Sequence, residues 1–183
     1  MDCLEAITTR RSIRQYKDTP VTDEVLNKVL EAARWAPSWA NTQCTRYVVV
    51  RDSVTKTKLA ETLSRGNPAT EAIKNAPVVI VACAELKKSG YYRGEVATDK
   101  GDWFMFDVGI AMENLALAAH ALGLGTVHVG NIPDAKKVEE ILGLPEGVVA
   151  VEMTPLGYPA IEAKTPPRKE LVEIAFYEKY GMH

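Results

Sequence analysis

Cysteine is scarce in this chain, and its placement is uninformative for cross-linking. Cys3, Cys44 and Cys83 are odd in number and far apart, with no C-x-x-C pair. Neither a disulfide framework nor a cysteine zinc site is indicated. Histidine is equally sparse: His120, His128 and His183 have no metal-ligand spacing, so no metal is expected. An excess of one charge is missing too. The 22 Lys and Arg stand against 24 Asp and Glu, a formal net charge of -2. That argues against nucleic acid or an anionic membrane as the main partner, since both favour a basic surface. The chain opens on Met1-Asp2-Cys3-Leu4-Glu5, acidic where a secretory leader is basic, and a cytoplasmic location is the expectation. No apolar run is free of polar groups. The richest, Trp103 to Gly123, carries Asp107, Glu113, Asn114 and His120, which suits a buried helix of a soluble protein better than a membrane span.

Familiar reaction motifs are absent as well. Gly123-Leu124-Gly125 lacks the third glycine of a dinucleotide fingerprint and follows a helical stretch instead of a strand. There is no phosphate loop of the G-x-x-x-x-G-K-[ST] type and no serine in a G-x-S-x-G elbow. Hydrolytic, metal and nucleophilic chemistry all lack their parts. What remains suits a phosphorylated cofactor that brings its own chemistry.

What is present begins with Arg10-Arg11-Ser12-Ile13-Arg14. In extended chain, Arg10, Ser12 and Arg14 face one way and Arg11 and Ile13 the other. Two guanidinium groups flanking a hydroxyl form a fork for a dianion. Taken alone, the stretch also reads as a solvated basic patch after a helix. The polar loop Pro37-Ser38-Trp39-Ala40-Asn41-Thr42-Gln43-Cys44 supplies amides, hydroxyls and one large aromatic.

The order of elements follows from periodicity and caps. Helices are expected over Asp2–Arg10, from a Thr22 cap to about Ala36, from Asp52 or Ser53 to Leu63, and over Ala69–Asn75. Others run from Asp102 to Leu122, from Pro133 or Asp134 to Leu142, and through the tail to about Tyr180. Strands are expected at Tyr47–Val50, Pro77–Cys83, Leu124–Gly130 and Val148–Met153. Glu85 to Lys100 reads as a polar surface excursion. The Asp102–Leu122 helix is apolar nearly all round, so a subunit interface is its expected cover. The mixture favours an α+β fold, or a mixed sheet with helices on both sides.

Four separated segments together resemble the nitroreductase family of FMN-dependent oxidoreductases. They are Arg10 to Arg14, Ala36 to Gln43, Gly123-Leu124-Gly125-Thr126 running to Gly130, and Leu156-Gly157-Tyr158-Pro159 with Arg168 beyond. The resemblance covers nearly the whole chain and implies one domain over residues 1–183. It implies a central mixed, mostly antiparallel sheet flanked by helices, with the long buried helix at a homodimer interface holding two FMN sites. Arg10, Ser12 and Arg14 would clamp the FMN phosphate and ribityl chain, with Arg11 near the phosphate or isoalloxazine. Arg168 and Lys169 would reach the phosphate from the tail. Pro37, Ser38, Trp39 and Asn41 would come from the other subunit, with Gln43 nearby and Asn67 approaching the pyrimidine ring. The backbone of Val129 and Gly130 would donate an N–H to flavin N5. No side-chain acid, base or nucleophile is required. Hydride from NADH or NADPH would pass through the flavin to a nitroaromatic or quinone by a ping-pong cycle, and the 85–100 excursion would cover the flavin face.

Other readings stay open beside it. They are a flavin carrier or sensor with little turnover, a desaturase or dehalogenase on the same scaffold, and a non-flavin module whose arginines serve only salt bridges. One departure is visible: Cys44-Thr45 stands where the family commonly has Pro-Trp. Cys44 is then either a redox-sensitive thiol near the flavin or a small buried residue, the second being favoured. His120 is expected to be a satisfied core or interface residue.

Overall fold

The computed structural model describes residues 1–183. Its centre is a four-stranded sheet of β1 (Thr45–Val50), β2 (Val78–Glu85), β5 (Gly125–Thr126) and β6 (Val148–Gly157), in the order β1-β2-β6-β5. All pairings between these strands are antiparallel. The mixed character expected from the sequence reduces to one parallel bridge, Ser12 to Thr126. A separate two-stranded ribbon, β3 (Tyr91–Tyr92) with β4 (Glu95–Val96), gives the polar excursion an ordered hairpin.

Strand β2 shows why the sheet is covered on both sides. Its side chains alternate between two apolar cores. Val78, Ile80, Ala82 and Ala84 pack with Leu26, Val29 and Ala33 of α2 (Asp23–Arg34) and with Val108, Met112, Leu115 and Ala119 of α5 (Phe104–Ala121). Val79, Val81 and Cys83 face the other core. That one is closed by α3 (Ser53–Glu61), α4 (Thr70–Asn75) and α6 (Ala135–Leu142), through Leu59, Ile73 and Val138. The expected caps are in place. Thr22, Asp52 and Asp134 accept backbone N–H groups at the starts of α2, α3 and α6, and Gly143 ends α6 at a φ of 64°.

One expectation is corrected. The tail does not form an amphipathic helix to Tyr180: α7 covers only Leu171–Ile174 and buries no residue. Helix α5, as expected, is not enclosed by this chain alone. Met105 and Phe106 are 59% and 57% exposed, because nothing in the chain covers that side of its first turn.

The arginine stretch is fixed from both ends. It follows α1 (Cys3–Thr9), whose start is capped by Asp2. Beyond it, Ile13 N–H donates to Thr126 O at 2.8 Å, and Lys17 N–H donates to Tyr158 O at 2.8 Å. Ile13 is buried against Gly125, so Ser12 and Arg14 turn outward. A Cβ on Gly125 would lie 2.6 Å from Ile13 Cγ1; only a residue without one admits the strand this close.

Candidate functional site

Arg10, Arg11, Ser12 and Arg14 line one cavity of about 380 Å³ together with Arg168 from the far end of the chain. Each guanidinium has a different degree of restraint. Arg10 Nε donates to Glu113 Oε1 at 3.1 Å. Arg11 is spread over Thr165 Oγ1, at 3.1 and 2.8 Å, and the carbonyls of Thr8 and Arg10. Arg168 touches only its neighbours, Pro166 O and Pro167 O. The exposed Arg14 side chain makes no ion pair or hydrogen bond within the chain. Lys169 does not line the cavity; Lys164 does, and sequence reasoning missed it.

Behind Arg10 lies a charge cluster that sequence reasoning also missed. Glu113 Oε2 lies 3.4 Å from His128 Nε2, and His128 Nδ1 lies 2.9 Å from Glu152 Oε1. Hydrogen bonds to Glu113 and then Glu152 outweigh burial and raise the His128 pKa to about 9. The same contact with His128, ahead of Arg10, holds the Glu113 carboxyl below its usual range.

The segment after His128 offers a backbone donor, though at one residue and not two. Val129 N–H is committed to Met153 O at 3.0 Å, in an isolated bridge with that residue. The donor role expected of the pair therefore narrows to Gly130, which is exposed and whose N–H has no partner in the chain. Asn131 Nδ2 donates to Ser64 Oγ at 3.0 Å, tying this segment to the loop that holds Asn67. Asn67 Oδ1 accepts the Ala69 N–H at 2.9 Å, which leaves its amide NH₂ free to donate to other partners.

The Pro37–Gln43 loop stands apart from the arginines. Pro37, Ser38 and Gln43 line a different cavity of about 130 Å³ with Arg34, Arg46, Tyr47 and Asp107, and no residue is shared between the two linings. Ala40, Asn41 and Gln43 have φ of 44°, 56° and 50°, in the left-handed region. Ser38 Oγ accepts the Gln43 N–H at 2.9 Å, and Trp39 N–H donates to Asp107 Oδ1 at 3.0 Å. Trp39 also borders a cleft of about 480 Å³ whose other wall is Tyr92, Glu95, Val96 and Ala97 of the hairpin.

Cys44 is fully buried and its thiol donates to Asp107 Oδ2 at 3.4 Å. Burial, reinforced by that hydrogen bond and the carboxylate charge, pushes the thiol up to about 12. A thiol held protonated is a poor nucleophile, which favours the small buried residue over the redox-sensitive one. His120 finds Thr9 Oγ1 at 2.8 Å and is half-buried, as expected of a satisfied residue. No helix is long and apolar enough to cross a membrane.

The chain is similar to known proteins in sequence and in fold. The nitroreductase family model matches residues 7–158. An Archaeoglobus fulgidus protein whose name pairs NADH dehydrogenase with NAD(P)H nitroreductase is 38% identical over 88% of this chain and 87% of its own. A Bacillus subtilis protein named FMN reductase [NAD(P)H] is 31% identical over 98% of this chain and 74% of its own. The crystal structure of the Vibrio harveyi NADPH:FMN oxidoreductase, complexed with NAD+, superposes with a TM-score of 0.81. It is 28% identical and the match covers 98% of this chain and 78% of that one. By sequence and by fold, the chain belongs to the nitroreductase family.

Proposed function

We propose that the protein is an FMN-dependent oxidoreductase that takes hydride from NADH or NADPH and delivers it to a nitroaromatic, quinone or related acceptor. The observation that carries this reading is the arginine cavity. A chain of net charge -2 gathers Arg10, Arg11, Arg14 and Arg168 from its two ends around one space, and leaves Arg14 without a partner. A phosphate monoester, with nearly two negative charges and three acceptor oxygens, matches that donor set. The names of the relatives, an NAD(P)H nitroreductase and an FMN reductase, support the same assignment.

The residues present fit FMN. Arg10, Arg11, Ser12, Arg14 and Arg168 would hold its phosphate, with Lys169 or Lys164 adding charge from the tail. Gly130 N–H would donate at the N5 edge and fix the ring for transfer. Asn67 would offer its amide NH₂ to the pyrimidine side, and Pro37, Ser38, Trp39, Asn41 and Gln43 would line the ring. FMN, when bound, supplies the hydride acceptance and release, so the chain needs no acid, base or nucleophile of its own. The nicotinamide and the acceptor would use one open face in turn, a ping-pong order, with the Trp39–Tyr92 cleft receiving the acceptor.

A homodimer completes the site in this reading. Within one chain the Pro37–Gln43 loop and the arginine cavity share no lining residue, and a two-fold partner brings the loop of one protomer to the arginines of the other. Leu4 and Ile7 of α1, Met105 and Phe106 of α5, and Leu171, Val172 and Tyr180 of the tail are exposed apolar surface for that interface. Residues 1–183 act as one FMN-binding domain. A cytoplasmic setting fits the three free thiols.

Purified protein should be yellow, bleach anaerobically with one or both nicotinamides, and regain colour on addition of the acceptor. A colourless protein that refuses added FMN overturns the proposal.

A further inference from the structure

The Trp39 loop makes a short turn, with Asn41 N–H donating to Ser38 O and Thr42 N–H to Trp39 O, both at 3.0 Å, but on an unfavourable backbone. Three non-glycine residues within four positions, Ala40, Asn41 and Gln43, have left-handed φ. Such residues are each unfavourable and persist only where their surroundings over-determine them. Two side-chain acceptors do so here. Ser38 Oγ takes the Gln43 N–H from within the loop, and Asp107 takes the Trp39 N–H from across the fold.

We propose that Asp107 is a positioning residue of the cofactor site, holding the Trp39 loop in its binding shape through the Trp39 N–H. The inference rests on the reading that this loop lines the flavin. Asp107 sits in the first turn of α5 and is only 1% exposed. One oxygen accepts the Trp39 N–H at 3.0 Å, and the other accepts the weak Cys44 S–H at 3.4 Å. A buried carboxylate with two neutral donors, one of them a thiol, is a poor device for stability alone. An apolar residue of similar volume commonly serves a core as well or better. The carboxylate does what an apolar residue cannot: it fixes one backbone N–H in one direction, with a charge-assisted bond. Cys44 belongs to the same device. Its small protonated thiol fills the space under the loop and turns its hydrogen toward Oδ2, where the family commonly carries a proline and a tryptophan follows.

The test compares Asp107→Asn, which keeps an oxygen for the Trp39 N–H, with Asp107→Leu, which keeps the approximate volume and removes the acceptor. FMN affinity of the intact protein is measured by flavin-fluorescence titration, beside the melting temperature of each variant. Asp107→Leu should bind FMN about tenfold more weakly or worse, while Asp107→Asn stays within about threefold of wild type. Equal affinities for Leu and wild type, or equal losses for Leu and Asn, overturn the assignment. Trp39→Ala is the control for the reading beneath it. If Trp39→Ala weakens FMN binding and Asp107→Leu does not, the loop reading stands and the Asp107 proposal fails. If Trp39→Ala leaves FMN binding untouched, the loop reading itself fails. A second measurement needs no variant: in the wild-type holoprotein the Trp39 amide should exchange slowly with deuterium, and fast exchange of that amide rejects the proposal even if Leu at 107 does not fold.

Discussion

Arg10 and His128 are held by one carboxylate: Glu113 accepts Arg10 Nε at 3.1 Å through one oxygen and lies 3.4 Å from His128 Nε2 through the other. The phosphate end and the N5 end of the proposed site are thus joined by a single side chain of α5. Three consequences concern stability and binding in the chain, and one concerns assembly.

The first is a pH dependence. His128 has a folded pKa of about 9 against a usual 6.5. A raised folded pKa means that the stabilisation is complete below pH 6.5 and is lost as pH rises through 9. The ring is about one-third exposed, so solvent screening reduces the effect to on the order of 1 kcal/mol. Wild type should lose that much of its advantage over His128→Gln between those limits. Paired thermal melts across the range test it; parallel curves contradict the linkage.

Arg14 and Arg10 should separate binding from folding. Arg14 has no partner in the chain, so Arg14→Ala should leave the cofactor-free protein within about 0.5 kcal/mol of wild type. It should still weaken FMN binding by roughly tenfold or more, since a hydrogen bond to a charged group is lost. Arg10→Ala removes the Glu113 pair together with the proposed phosphate contact, and should lower both. Denaturant titration of the apoprotein and equilibrium binding of FMN give the two readouts.

Gly125 and Gly130 should behave oppositely. A Cβ at Gly125 meets Ile13 Cγ1 at 2.6 Å and Ile13 Cβ at 2.7 Å. Gly125→Ala should destabilise by about 1–3 kcal/mol, as overpacking does. It should also weaken FMN binding, because Ile13 stands between Ser12 and Arg14. At Gly130 nothing lies within 4 Å of an added Cβ, and Ala keeps the backbone N–H, so Gly130→Ala should fold normally and lose affinity only where its added methyl meets the bound flavin. Urea midpoints with and without FMN distinguish the two patterns.

The assembly prediction rests on α5. Met105→Glu with Phe106→Glu places charge on surface that one chain leaves open, so monomer folding should be nearly unaffected. Sedimentation should then show a monomer in place of a dimer, with FMN lost in parallel. A dimer that persists with these changes would locate the interface elsewhere.

The sequence and the structure agree best where local chemistry decides. Thr22, Asp52, Asp134 and Gly143 mark helix ends because a cap satisfies orphan backbone groups within a few residues. The strand expected at Pro77–Cys83 is apolar throughout, and β2 is buried on both faces, as such a run requires. The arginine cavity was legible through the family resemblance, with Lys164 in place of Lys169 on its lining. Other features were not legible. Glu113, His128 and Glu152 are scattered along the chain, and only the packing of α5 on the sheet brings them into contact. The Asp107 pairing with Trp39 N–H involves a backbone group, which leaves no mark in side-chain identity. The tail failed for a different reason: its residues have helical spacing, but one chain offers no surface for them to bury.

Helix α5 holds Asp107 against the Trp39 loop, Glu113 against Arg10, Asn114 against Ala32 O, and His120 against Thr9. These grips are set by position along one helix, where each residue turns the next by about 100°. An inserted or deleted residue between Asp107 and Glu113 would swing one set of grips away from the other, whatever the residue was. The length of α5 between Asp107 and Glu113 is therefore as fixed a requirement of the fold as the identity of the residues that make the grips.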